Sequence, residues 1–124
     1  MKKAILLLTV FLLMGCSVNQ TKEKAPKVYK DGTYKATVNG YGGDFEMNAT
    51  FKDDKIKDII VGENNETPSI GGVAIEQLIT QMKEKQNEDI DVVTGATKTS
   101  QGMINAYKEI LSDAKINNES KAQK

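Results

Sequence analysis

The chain of 124 residues contains no His, no Arg and no Trp, and a single Cys at position 16. Without His there is no His-based catalytic triad, no imidazole acid–base step and no imidazole metal ligand. One thiol builds neither an internal disulfide framework nor a multi-thiolate zinc or iron–sulfur centre, so no metal site is expected. Without Arg the chain lacks the bidentate guanidinium fork that grips phosphates. Its 17 Lys are matched by 17 acidic residues. No basic block interleaved with aromatics occurs, which argues against a nucleic-acid partner. The length allows one small domain. Familiar acid–base machinery is mostly missing.

What is present begins with Met1-Lys2-Lys3 and residues 4–14, apolar except for Thr9, ending in Leu13-Met14-Gly15-Cys16. The run is about half the length of a membrane-spanning helix and suits the apolar region of a signal peptide. With the Cys at its end, it resembles the lipobox of bacterial lipoproteins. That resemblance implies cleavage before Cys16 and acyl chains on its thiol and amine. The expected protein is exported and lipid-anchored to the outer face of the cytoplasmic membrane or another envelope membrane. Two acyl chains hold far more firmly than one. The alternative is an ordinary secretory signal with an incidental Cys. Loss of residues 1–15 removes two of the 17 Lys and no acid, leaving 15 Lys against 17 acids, a net charge of −2. Residues 16–30 are polar and charged and read as a flexible tether from the lipidated Cys, with a root-mean-square reach of roughly 20 Å. Residues 117–124 read as a disordered tail. The folded unit is expected over residues 31–116.

Within it, residues 32–39 are rich in β-formers, and Gly40-Tyr41-Gly42-Gly43 reads as a turn. Phe45, Met47, Ala49 and Phe51 alternate with polar residues, the period of a strand with one wet face. Asp53-Asp54-Lys55 turns the chain into a third strand over residues 56–61. Ile75, Leu78, Ile79 and Met82 fall at helical spacing, predicting an amphipathic helix over residues 73–86. Residues 90–93 predict a short further strand. Met103, Tyr107, Ile110, Leu111 and Ala114 predict a second helix from about residue 100 to 116. The fold class is α+β: a small antiparallel sheet, a three-strand meander plus a short strand, with two amphipathic helices on one face. Met47 and Met82 are expected in the core.

Between the last strand and the last helix stands Asp91-Val92-Val93-Thr94-Gly95-Ala96-Thr97-Lys98-Thr99-Ser100. At average residue usage, Gly-Ala-Thr alone arises about once in a few thousand positions, so the longer pattern is informative. It resembles the signature of the FMN-binding domains found in the C subunit of the sodium-pumping NADH:quinone reductase, the G subunit of the related Rnf complex and small exported flavoproteins. Gly32-Thr33-Tyr34, the Gly-rich turn and Glu66-Thr67-Pro68 extend the resemblance across the folded unit. Relatives often place Gly directly after that Pro, where this chain has Ser69-Ile70-Gly71. The resemblance implies FMN moved from FAD by a flavin transferase onto Thr97, as a phosphoester at the side-chain oxygen. It also places Asp91, Thr94, Gly95, Ala96, Thr99 and Ser100 in the cofactor-binding signature, and Glu66 and Thr67 beside the isoalloxazine ring.

The residue types also make physical sense apart from the resemblance. Gly95 permits φ > 0 or close ligand approach, and Ala96 keeps space clear. The N–H groups opening the last helix can face a phosphate, replacing the missing Arg. The alternatives are plainer: a strand-to-helix turn with Thr99 or Ser100 as N-cap, Asp91 ending a strand, Glu66 and Thr67 in a solvated turn, Tyr41 half-buried at a strand end instead of stacking on flavin, and Lys98 merely solvated. The expected function is a membrane-anchored extracytoplasmic electron carrier. It would take electrons from a quinone-linked or membrane-reductase donor and pass them to an acceptor. Its chemistry would be the flavin's, which favours a carrier over an enzyme. Alternatives are a lipoprotein module binding flavin or another nucleotide non-covalently, and a structural or adhesive lipoprotein with a degenerate site.

Overall fold

The computed structural model describes residues 27–116. The expected signal segment, Cys16, most of the tether and the tail lie outside the described residues. Three strands form an antiparallel meander in the order β1 (Gly32–Gly40), β2 (Gly43–Lys52), β3 (Lys55–Val61). Two helices, α1 (Val73–Lys85) and α2 (Thr97–Ala114), cover one face. The architecture is the expected α+β arrangement.

The alternation read from β2 is the packing itself: Phe45, Met47, Ala49 and Phe51 all point into the core. In β3 a bulge breaks that period. Thr50 pairs with Asp58 while Phe51 pairs with Ile56, so the strand carries one extra residue there. The inward face moves from Ile56 to Ile59 and leaves Ile60 exposed. Ile75, Leu78 and Met82 of α1 and Met103, Tyr107, Ile110 and Leu111 of α2 complete the core. Gly102 lets α2 lie directly on β1, because a Cβ there would collide with the backbone carbonyl of Asn39.

The β2–β3 turn places Asp53 and Asp54 at φ 54° and 68°, a left-handed pair that suits hairpin twist but costs non-glycine residues about 1 kcal/mol each. Long-range bonds hold it. Asp31 accepts from the Asp53 amide at 3.1 Å, and Asp54 Oδ1 accepts from the amides of Val28 and Tyr29 at 2.8 Å each. The same segment pairs with the end of the chain, through Lys30 N to Ala114 O and Ile116 N to Val28 O, both 2.8 Å. Tyr29 also packs on Phe51 at 5.0 Å between ring centroids. Residues 28–30, at the end of the polar stretch read as tether, are therefore built into the folded unit by these partners.

The short strand expected over residues 90–93 does not form. The side-chain amide of Gln81 takes both backbone groups of Asp91, accepting from its N–H at 2.8 Å and donating to its carbonyl at 3.0 Å. Val93 N–H goes to Ser100 Oγ at 3.0 Å. With these groups satisfied by side chains, no sheet neighbour is needed.

Candidate functional site

Three segments converge at one end of the sheet: the Tyr41–Gly42 turn between β1 and β2, the loop leaving β3, and the turn entering α2. Together they enclose a cavity of about 500 Å3, within the usual range for small-molecule sites. Tyr41 and Ile70, 78% and 53% exposed, form apolar parts of its wall. Glu66, Thr67, Thr97 and Lys98 supply its polar side chains with Thr99.

The loop after β3 turns through Pro68–Gly72 as a π-helical turn, with Gly72 N–H bonded to Thr67 O at 2.9 Å. This wider turn accommodates Ser69-Ile70 after the Pro and sets Gly71 against Glu66. Glu66 is the buried acid of the site, 7% exposed. One carboxylate oxygen accepts from the Thr99 hydroxyl, and the other accepts from Gly42 N–H at 2.8 Å. A Cβ at Gly40 or Gly71 would come within 2.5 or 2.6 Å of those oxygens, so both glycines make room for them. Among the described residues no Lys forms an ion pair with Glu66. Glu66 thus fastens the β1–β2 turn to the first turn of α2.

Helix α2 starts at Thr97, three residues before the expected position. Ala96 O accepts from Ser100 N–H at 2.9 Å, which makes Ala96 the N-cap. Ala offers no side-chain acceptor, and no cap bond or acidic residue closes the first turn. The amides of Thr97, Lys98 and Thr99 find no acceptor among the described residues, as the start of a helix dictates. Thr99 and Ser100 are not caps. Both are buried, and their hydroxyls are committed to Glu66 and to Val93 N–H. Gly95 has φ 91° with open space where a Cβ would stand, so backbone conformation and not crowding calls for glycine. Lys98 Nζ donates to Asn39 Oδ1 at 2.6 Å, and Asn39 donates in turn to Asp44 at 2.7 Å.

The sequence profile of the FMN-binding domain matches residues 40–112, from the end of β1 into the last turns of α2. The chain belongs to the FMN-binding domain family. It is 33% identical over 97 residues to the NADH:acrylate oxidoreductase of Vibrio harveyi, covering 78% of this chain and 10% of that protein. It is 30% identical over 93 residues to an uncharacterized protein of Treponema pallidum (strain Nichols), covering 74% of this chain and 26% of that one. The chain thus spans about a tenth and about a quarter of these curated relatives. The crystal structure of CPE2226 protein from Clostridium perfringens matches with 28% identity and a TM-score of 0.56, covering 69% of this chain and 88% of that one.

The cavity of this FMN-binding domain fits the group its family is named for. Three free amides and a hydroxyl at a helix start suit a phosphate, and the exposed faces of Tyr41 and Ile70 suit an apolar ring system. Of the residues singled out in the signature, Gly95, Ala96, Thr97 and Thr99 line the cavity with Glu66 and Thr67; Asp91, Thr94 and Ser100 do not. The Asp91 side chain is 81% exposed and lies 3.6 Å from Lys85. Sequence reasoning missed Ile70 as a wall, Gly40 and Gly71 as the space around Glu66, and the Gly42 amide as its partner. The Gly-rich turn was the available signal for the last of these.

Proposed function

We propose that this FMN-binding domain carries FMN covalently, as a phosphoester on Thr97, and serves as an electron carrier held at a membrane surface through a lipidated Cys16. One observation carries the reading. An exposed Thr stands at the first position of an uncapped helix, on the wall of a cavity sized for a small molecule. Bound FMN supplies the electron-transfer chemistry. The chain's own residues hold and shield it. The free amides of Thr97, Lys98 and Thr99, with the helix dipole, offset the charge of a phosphodiester that no Arg is present to meet. Gly95 sets the turn that presents Thr97. Tyr41 and Ile70 give apolar surface to a ring, and Glu66 fixes the β1–β2 turn against α2. Asp91, exposed and outside the cavity, is free to be read by the flavin transferase.

In this reading residues 1–15 are removed, residues 16–27 tether the domain, and donor and acceptor are redox proteins at or beyond the membrane. Covalent attachment suits an exported protein, from which a dissociating flavin would be lost. The test is intact mass of the domain co-produced with a flavin transferase, beside a Thr97→Ala control. A gain of one FMN less water, absent from the control, supports the reading. An unmodified chain beside an active transferase overturns it. Flavin that co-purifies but is released on denaturation would instead identify a non-covalent module.

A further inference from the structure

Glu66 is a buried acid that the attachment chemistry does not use. It lines the cavity at 7% exposure. Each carboxylate oxygen is held by one donor, Thr99 on one side and the Gly42 amide on the other. Its ion-pair distance contains no Lys among the described residues. Lys98, the cation lining the cavity, is drawn instead onto Asn39 at 2.6 Å, with Asn39 oriented by Asp44. The carboxylate is therefore held in place, shielded from water and not neutralised by a salt bridge.

We propose that Glu66 sets the reduction potential of the flavin by holding a fixed negative charge against the cavity. The proposal rests on the reading above, in which FMN occupies this cavity. Uptake of two electrons from a donor and one proton from water leaves a reduced flavin one charge more negative than the oxidised form. A fixed anion nearby disfavours that gain of charge and lowers the potential. At the effective dielectric of a partly buried site, one unit charge within about 10 Å changes such an equilibrium by roughly tenfold or more. Tenfold corresponds to about 30 mV for a two-electron couple. Glu66 thus biases the carrier toward giving electrons up.

The experiment measures the midpoint potential of the flavin-loaded full chain, equilibrated with a reference dye, after mass has verified loading. Glu66→Gln removes the charge while keeping the size. Its reduced-to-oxidised ratio at fixed poise should rise about tenfold or more, a midpoint shift of about 30 mV upward. Thr99→Val separates charge from architecture, because it releases the clasp and keeps the carboxylate. Its midpoint should lie at or below that of the unaltered chain. An unchanged or lowered midpoint in Glu66→Gln overturns the proposal. So does an upward shift in Thr99→Val, which would mean that loosening the cavity is enough. If Glu66→Gln takes up no flavin, Thr99→Val decides: a midpoint below that of the unaltered chain, from a carboxylate that has lost the Thr99 donor, supports the proposal, and an unchanged or raised one overturns it. An unaltered chain that takes up no flavin defeats the underlying reading and this one with it.

Discussion

Replacing Gly102 with Ala sets two opposing magnitudes against each other. Ala is the better helix former by about 0.8–1 kcal/mol, so on propensity the change in α2 should stabilise. The structure predicts the reverse. The new Cβ would fall closer to the Asn39 carbonyl oxygen than atoms can approach, with the Asn39 carbonyl carbon at 2.9 Å and its nitrogen at 3.3 Å. All three are backbone atoms, so no side chain can rotate away. Relief needs α2 to move off β1 by about 1 Å to regain ordinary contact. Overpacking of this kind costs about 1–3 kcal/mol, and rigid partners on both sides put it at the upper end. The net expectation is a loss of about 2 kcal/mol. For a domain of this size that lowers the thermal midpoint by about 8–16 °C. Far-UV circular dichroism melts and urea titration of the flavin-free chain read it directly. A midpoint equal to or above that of the unaltered chain would refute the close approach of α2 to β1. Loading with flavin should suffer as well, since Asn39 also holds Lys98.

Tyr107 is fully buried, and its hydroxyl has no partner among the described residues. Tyr107→Phe should therefore stabilise by about 1 kcal/mol in a urea titration; a loss of that size would show a partner. Burial, aided by Tyr29 and Glu88, holds the Tyr107 phenol well above its usual range near 10. The folded state keeps a proton that the unfolded state releases, so stability falls as pH rises above about 10. Tyr107→Phe should move the alkaline unfolding midpoint to higher pH, and an unmoved midpoint would place the cause elsewhere. Gln81→Leu leaves the Asp91 N–H and carbonyl without their partner. It should cost about 1–2 kcal/mol and raise hydrogen exchange at the Asp91 amide; unchanged protection there would show that Gln81 is not what holds the segment.

Much of this protein was legible in its sequence because the relevant signals are local. A period of two named the inward face of β2, and helical spacing named the buried residues of both helices, since each pattern follows from the geometry of one element. The Asp91-to-Ser100 signature likewise lies in one short stretch, and by itself it points to the FMN-binding domain family. Tertiary structure decided what depends on partners distant in sequence. Gln81, ten residues before Asp91, takes the backbone bonds that would have made a fourth strand. Asp54 draws in the amides of Val28 and Tyr29, so these residues at the tether's end belong to the domain. Thr99 and Ser100 look like caps in sequence but are spent on Glu66 and Val93, which moves the start of α2 to Thr97 and leaves its first amides free. Glu66 reads equally well as a solvated turn until Gly40, Gly42, Gly71 and Thr99 close around it. A buried polar group takes its character from whichever donors the fold brings to it, and those donors lie 24 and 33 residues away along the chain.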